Sequence, residues 1–353
     1  MLTALSVLAI SLLTPGESLP ATPVTPDQVR AAVAKSLPLL EKSSKEYMVQ
    51  RECFSCHHQA LPAMALSKAQ QQGFSVSAEG LQKQLRFTAD SLAKNQDNYR
   101  QGRGQGGQTT TAGYALLALE LGAWKADATT GAVVEYLLLR DKGLDYWQVT
   151  SRRPPSEASS FTTTYLALRG LRAFGSPEQQ ERGSARIDRA RRWLLGTPVK
   201  DTEERVFRLG ALKLAGAEDK EVRAAAQDLV KTQGKDGGWG QTSEAESDAY
   251  ATGSALVMLH QAGGVPVSDP VYQRGLAFLV GAQQADGSWW VRSRSTPFQT
   301  YFESGFPHSK DQFISIAASS WGTTALALAC SPAPQESASI PPRAPLLHGQ
   351  CPE

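Results

Sequence analysis

Two kinds of helical segment alternate along most of the chain. The first kind is rich in Ala and Leu on every side, which predicts a buried helix. The second kind has a single apolar stripe, as at Val222, Ala225, Ala226 and Leu229, which predicts a helix with one wet face. The apolar segments are residues 57–73, 109–122, 161–175, 202–216, 248–263 and 317–330, and the striped ones are 78–94, 130–139, 182–195, 220–232 and 270–282.

The alternation is an internal repeat. Glycines at positions 73, 122, 175, 216 and 263 each end an apolar segment, as helix C-caps do, and they are 49, 53, 41 and 47 residues apart. About six helical hairpins with almost no strand pattern predict an all-α fold. The simplest architecture is an α/α toroid with apolar helices inside and striped helices outside. A linear solenoid is the alternative, because a repeat does not prove closure.

Two repeats end in a sharper motif. Residues 223–241 contain Gln233, Gly237-Gly238 and Trp239, and residues 274–291 contain Gln283-Gln284, Gly287 and Trp289. Both resemble the QW repeat of the squalene–hopene and oxidosqualene cyclases. The resemblance covers about residues 50–330 and implies a toroid like those of terpenoid cyclases and protein prenyltransferases. It also implies a structural role: the Gln amide caps neighbouring backbone and the Trp stacks across the repeat boundary.

The cyclase chemistry does not follow from this resemblance. The polyene-protonating cyclases use an acidic D-x-D-D cluster, which this sequence lacks; the acids nearest to such a cluster are Glu244, Glu246 and Asp248. The toroidal prenyltransferases need an Asp/Cys/His zinc set, of which Cys330 and His308 form no convincing version. The resemblance therefore implies a fold, and whether the protein is an enzyme stays open.

A separate motif lies before the first apolar helix. Cys53, Cys56 and His57 form Cys-x-x-Cys-His, the attachment pattern of c-type haem. Two thiols one helical turn apart would add to the vinyl groups, and His57 would bind the iron. The sixth iron ligand would be His58 or His308. The leading hypothesis is therefore an exported toroid with covalent haem c, acting in electron transfer or redox sensing.

Three other interpretations use the same segment. A Cys53–Cys56 disulfide would leave a non-catalytic toroidal binding module. Cys56 and Gln59 also resemble the Cys-x-x-Gln thioester of complement and macroglobulin domains, which are toroids too. Alternatively, the cysteines with His57 and His58 would bind a metal ion, completed by His308 or Asp248.

An enzyme at the toroid mouth is a further alternative. Asp248 with Glu246 or His308 would then act on a terpenoid or a polysaccharide. The missing D-x-D-D argues against the terpenoid form, and Asp248 also has the position of a plain helix N-cap.

Charge and the chain ends complete the prediction. Lys and Arg number 36 and Asp and Glu 34, so the net charge of +2 gives no basic face for nucleic acid. The partner is instead an unknown redox protein or a small apolar or glycan ligand. An apolar run in residues 1–21 predicts a signal peptide, with export to the periplasm or the exterior, and no run is long enough to span a membrane. Residues 22–48 form a linker or helix, 49–330 the toroid, and 331–353 a disordered Pro-rich tail.

Overall fold

A computed structural model describes residues 24–297 and 300–330 of the chain. Within these ranges the protein is all-α, as predicted, and its only β-type pairing is two isolated bridges. The helices are α1 (Pro26–Gln50), α2 (Leu61–Gln71), α3 (Ala78–Ala93), α4 (Gln96–Arg100), α5 (Gln108–Leu121), α6 (Ala128–Leu139), α7 (Ser160–Phe174), α8 (Pro177–Gly196), α9 (Thr202–Leu214), α10 (Asp219–Val230), α11 (Ala249–Gln261), α12 (Pro270–Ala282) and α13 (Gln312–Leu328).

Six helices form a closed inner ring. Helix α2 packs on α5, and the contacts continue through α7, α9, α11 and α13 back to α2. These are the helices predicted to be buried, and α11 illustrates why they fit: a Cβ added at Gly253 would lie 2.6 Å from the backbone of Trp321 and Gly322 on α13. The closed ring confirms the toroid and excludes the linear solenoid.

Helices α1, α3, α6, α8, α10 and α12 form the outer layer. Helix α1 takes the sixth outer place, because it packs on α13, α2, α3 and α12. A capping box between Thr25 and Gln28 starts this helix, and Pro26 occupies its first turn. The toroid therefore includes residues 26–48 in its outer layer, whereas the sequence assigned them to a separate linker or helix.

The two QW motifs hold outer helices together. The Gln233 side-chain amide donates to the carbonyls of Gly237 (2.8 Å) and Val271 (2.9 Å), and Val271 lies at the start of α12. Gln283 donates likewise to Gly287 (3.0 Å) and to Ala32 of α1 (2.9 Å). The predicted backbone capping by Gln is confirmed, and Gln283 joins the last repeat to the first helix.

The tryptophans of the motifs bond within their own repeats. The indole N–H of Trp239 donates to Leu229 (3.0 Å) and that of Trp289 to Leu279 (2.8 Å), each ten residues upstream. Trp147 makes the same bond to Leu137 (2.8 Å), although its motif lacks the Gln. Here Arg186 covers the Trp147 ring, 4.1 Å from its centre. A third copy of the Trp anchor is therefore present, with an arginine beside it.

Gln283→Ala should loosen the junction between the two ends of the ring. The variant loses both amide bonds, and we expect a loss of about 1–2 kcal/mol in the free energy of unfolding by urea. Gln284→Ala is the matched control, because the neighbouring side chain is exposed and should change stability by less than about 0.5 kcal/mol. Equal losses in the two variants would show that the Ala32 contact contributes nothing.

The predicted signal peptide and Pro-rich tail lie outside the described residues. Among the helices that are described, none is long and apolar enough to cross a membrane.

Candidate functional site

The Cys-x-x-Cys-His segment leads into the first inner helix. A π-helical turn, Cys56–Ala60, precedes α2, and the Ser55 hydroxyl caps it by accepting from the His58 backbone N–H (3.3 Å). Cys53 lies before the turn in non-helical chain, exposed, with its sulfur 3.7 Å from the Tyr47 hydroxyl. The expectation that the two thiols lie one helical turn apart is therefore wrong, since the helical turn begins only at Cys56.

Cys56 contacts an acid that the sequence analysis missed. Its buried thiol lies 2.8 Å from the Glu157 carboxylate, which is also buried. Burial, followed by the negative charge of Glu157, raises the pKa of the Cys56 thiol well above its usual value. Cys56 is therefore a protonated donor at neutral pH and a weak free nucleophile.

A short loop presents Glu157 to the thiol. Arg153 and Glu157 exchange two backbone hydrogen bonds, of 3.2 and 3.0 Å, and the Arg153 guanidinium also contacts the Glu157 carboxylate. The loop leads into α7, so ring closure brings it against Cys56, 101 residues earlier in the chain. The sequence signal was an Arg/Glu pair four residues apart, just ahead of an inner helix.

The two adjacent histidines face each other. Their Nδ1 atoms are 2.8 Å apart, and the Ser55 hydroxyl is 2.8 Å from the His57 Nδ1. Burial, followed by the charge of Arg153, lowers the pKa of His57 to about 3. Burial and the neighbouring His57 lower the pKa of His58 as well. Both rings are therefore neutral at pH 7.

Three of these side chains converge. One ligand atom each from Cys56, His57 and Glu157 lies within 4.8 Å of the others. A thiol, an imidazole and a carboxylate are the donors that transition metals such as zinc accept.

Two cavities meet at His57. One, of about 650 Å³, is bordered by Cys53, Cys56 and His57 together with Arg152 and Arg153. The other, of about 310 Å³, is mostly apolar. Its lining combines His57, Glu157 and the 153–154 turn with Tyr301, Phe313 and Ile314. The segment before α13 therefore lines the mouth through Thr296 and Tyr301.

The two sixth-ligand candidates lie elsewhere. His58 is fully buried, and its Nδ1 is taken by His57. His308 bonds the Ser288 hydroxyl through Nε2 (2.7 Å), at the start of the short 3₁₀ turn before α13. Neither side chain borders the cavity that Cys53, Cys56 and His57 share.

The acids proposed for an enzyme at the mouth also have other contacts. Asp248 is the N-cap of α11, accepting from the Ala251 N–H (2.9 Å) and the Gln241 amide (2.9 Å). Glu246 is exposed in the preceding turn. Their contacts do not join Asp248, Glu246 and His308 into one site within the described ranges, and the plain N-cap interpretation of Asp248 is confirmed.

The contacts of the two cysteines and Gln59 bear on the two covalent alternatives. Cys53 and Cys56 are both free thiols. The Gln59 amide donates to the Ser44 carbonyl of α1 (3.3 Å), whereas the Cys56 thiol faces Glu157. The predicted disulfide and thioester therefore do not match the contacts of these side chains.

A second buried acid lies inside the ring. Glu203, at the start of α9, accepts from Thr162 (2.8 Å) and from the Tyr250 hydroxyl (3.1 Å). Burial raises the pKa of this carboxyl well above its usual value. The hydrogen bonds of this acid join α7, α9 and α11. The sequence offered only an N-terminal acid on a helix, which is common.

Known proteins resemble both the sequence and the fold. Residues 199–321, about a third of the chain, match the family model of the squalene-hopene cyclase C-terminal domain. The squalene–hopene cyclase of Bradyrhizobium diazoefficiens is 35% identical over 112 residues, which are 28% of this chain and 16% of that enzyme. The match thus covers far less than two thirds of that relative.

Solved structures extend the likeness to most of the ring. A type II terpene cyclase from Scytonema, in complex with its product merosterolic acid A, has a TM-score of 0.55 at 12% identity, over 86% of this chain and 98% of that chain. The fold of this chain is an α/α toroid similar to that of this terpene cyclase. A protein from Actinoplanes also has a TM-score of 0.55, at 15% identity, over 86% of this toroid and 100% of its own chain. At these identities the likeness shows the fold alone.

The buried histidines should make the toroid acid-sensitive. Both keep lowered pKa values in the fold, whereas unfolded histidine has a pKa near 6.5. As the pH falls from 6.5 to 5, the unfolded chain binds protons that the folded chain does not, so stability falls with a slope that approaches about 1.4 kcal/mol per pH unit for each histidine. Urea unfolding of the protein without haem or metal measures this slope. His58→Phe should remove about half of it; an unchanged slope would contradict the account.

Proposed function

We propose that this toroid is exported and carries haem c at its mouth, with Cys53 and Cys56 as the covalent anchors and His57 as the iron ligand. The single observation that carries the proposal is the shared cavity: the three side chains of the attachment motif border the same space. Its volume of about 650 Å³ is within the range of cofactor pockets, roughly 300–1,000 Å³. The function would be one-electron transfer or redox sensing.

The neighbouring residues suit this group. The Nδ1 of His57 is held by Ser55 and His58, so Nε2 is the nitrogen left for iron. Arg152 borders the same cavity and would pair with a carboxylate of a haem. Glu157 keeps Arg153 as its partner once the Cys56 thiol is consumed.

Attachment needs only chemistry that these thiols supply. Each cysteine sulfur adds to a vinyl carbon, and its proton passes to the neighbouring carbon, so no oxidant or reductant is consumed. When bound, the haem iron would supply a ferric–ferrous couple. Within this chain, His57 would hold the iron, and Phe313 and Ile314 lie with His57 on the wall of the neighbouring cavity.

The mouth also suits a small apolar ligand. The surface of the cavity of about 310 Å³ beside His57 is mostly apolar, and a protein of similar fold, the Scytonema terpene cyclase, was solved with geranylgeranyl dihydroxybenzoate as substrate. We propose that such a ligand, bound beside His57, is what a redox-sensing form would detect.

A second candidate is a bare metal centre. The convergence of Cys56, His57 and Glu157 within 4.8 Å favours it, since three protein ligands leave a fourth position of a zinc site open. This site needs Glu157 and not Cys53, whereas haem attachment needs Cys53 and not Glu157.

One preparation separates the two functions. The chain is exported from a host with c-type maturation, and its pyridine haemochrome spectrum and its zinc content are measured together. The haem proposal predicts a haemochrome band at about one haem per chain and no bound zinc. Zinc at about one per chain without haem would overturn it and support the metal centre.

A further inference from the structure

His58 has a single side-chain hydrogen bond in the part of the chain that is described, and its partner is His57. The two Nδ1 atoms are 2.8 Å apart, and the rings meet edge to face, with an interplanar angle of 81°. The other nitrogen of His58, Nε2, is buried and bonds no described residue. Apart from packing, His58 can therefore affect the site only through its hydrogen bond with His57.

The packing around His58 fixes this geometry. Its ring stacks on Tyr47, with centres 5.1 Å apart and planes 21° apart, and it meets the Phe313 ring edge to face. The side chain is fully buried. Because the ring is packed on several sides, it cannot rotate into the cavity beside His57. His58 therefore acts in the position that the structure gives it.

One shared proton links the two rings. A neutral imidazole carries a single N–H, and a bond between two Nδ1 atoms needs a donor on one side and an acceptor on the other. If His57 donates, it is the Nδ1–H tautomer and His58 is the Nε2–H tautomer; if His58 donates, both assignments reverse. The two histidines must therefore hold opposite tautomers.

We propose that His58 is a positioning residue, the acceptor that keeps His57 in the Nδ1–H tautomer and thereby frees Nε2 of His57 to bind iron or another metal. The inference rests on the proposed ligand role of His57 and holds for either kind of centre. It replaces the expectation that His58 is itself a ligand. A hydrogen-bond acceptor behind a ligating imidazole fixes its tautomer and raises its basicity.

The tautomers can be read without any bound group. In ¹⁵N-histidine-labelled protein free of haem and metal, two-bond ¹⁵N–¹H correlations assign the protonated nitrogen of each ring. The proposal predicts opposite tautomers for His57 and His58. The same tautomer in both rings would overturn it, whether or not the protein carries haem.

Binding of haem or Zn²⁺ then tests which of the two histidines donates the hydrogen bond. After haem attachment, or after addition of Zn²⁺ to the haem-free chain, His57 should be Nδ1–H and His58 Nε2–H. His58→Phe keeps a ring in the packing but removes the imidazole acceptor, which leaves only the Ser55 hydroxyl at the His57 Nδ1. We expect its Zn²⁺ affinity to fall about 10-fold or more. In the haem-carrying protein the reduction potential should rise, by about 60 mV for a 10-fold greater loss of affinity in the ferric than in the ferrous form.

His58→Asn is the rescue variant, because its amide oxygen can accept where Nδ1 does. It should keep the Zn²⁺ affinity or the potential close to the unmodified values, while thermal unfolding reports the packing loss of both variants separately. Equal effects of Phe and Asn would show that His58 only fills space and would overturn the proposal. A chain that binds neither haem nor Zn²⁺ refutes the proposed function. The tautomer measurement on the unloaded protein still tests the hydrogen bond between His57 and His58.

Discussion

Replacing both Cys53 and Cys56 by Ser should abolish covalent haem completely. Each thiol forms one thioether, so either single variant should keep one bond and carry haem at reduced yield, with a shifted haemochrome band. The double variant should carry none after acid–acetone extraction, which removes haem that is held only by iron ligation. The pyridine haemochrome of each exported variant gives the measurement.

Cys330→Ser is the matched control for these variants. Cys330 is also a free, buried cysteine, but it lies at the end of α13, where its sulfur contacts the Leu326 carbonyl (3.5 Å). Its loss should leave the haem content unchanged. If Cys330→Ser lowers haem as much as the Cys53 or Cys56 variants do, the loss reflects folding rather than attachment.

Trp289→Ala should be the most destabilising single change in the outer layer. The side chain is 1% exposed and its indole N–H bonds the Leu279 carbonyl. Truncation leaves a cavity and an unpaired carbonyl, and we expect a loss of about 3–5 kcal/mol in the free energy of unfolding. Equilibrium urea unfolding followed by circular dichroism measures it.

The next residue supplies the control. Trp290 is 52% exposed, and its indole bonds Asp311 at the edge of the mouth. Trp290→Ala should cost less than about 1 kcal/mol. A similar loss from both variants would contradict the view that the motif tryptophan, rather than any tryptophan here, anchors the repeat.

The fold could be predicted because each repeat carries its own signals. The predicted helix over residues 270–282 coincides with α12, and the motif glutamines cap neighbouring backbone as the resemblance implies. The match of residues 199–321 to the squalene-hopene cyclase C-terminal domain falls on these repeats. Closure was not predictable, because it depends on α13 packing against α2 and on Gln283 reaching Ala32, contacts between opposite ends of the chain.

The site could be predicted only in part. Local spacing identified Cys53, Cys56 and His57, and the structure puts them on one cavity. Glu157 was missed because only ring closure brings it to Cys56, and Arg153, four residues before it, does not by itself distinguish Glu157 from a surface acid. Glu203 was missed for the same reason: its partners, Thr162 and Tyr250, belong to two other helices. His58 and His308 were overvalued because a sequence does not show what a ring already bonds.

The intact mass of the denatured, exported protein tests the central claim most directly. Denaturation removes any group held by coordination alone, so only a covalent adduct survives. The account predicts the mass of the mature chain plus one haem, and the mature chain alone for the Cys53→Ser, Cys56→Ser double variant. The mature mass alone for the unmodified protein, from a host that attaches haem to a control cytochrome c, would contradict the account.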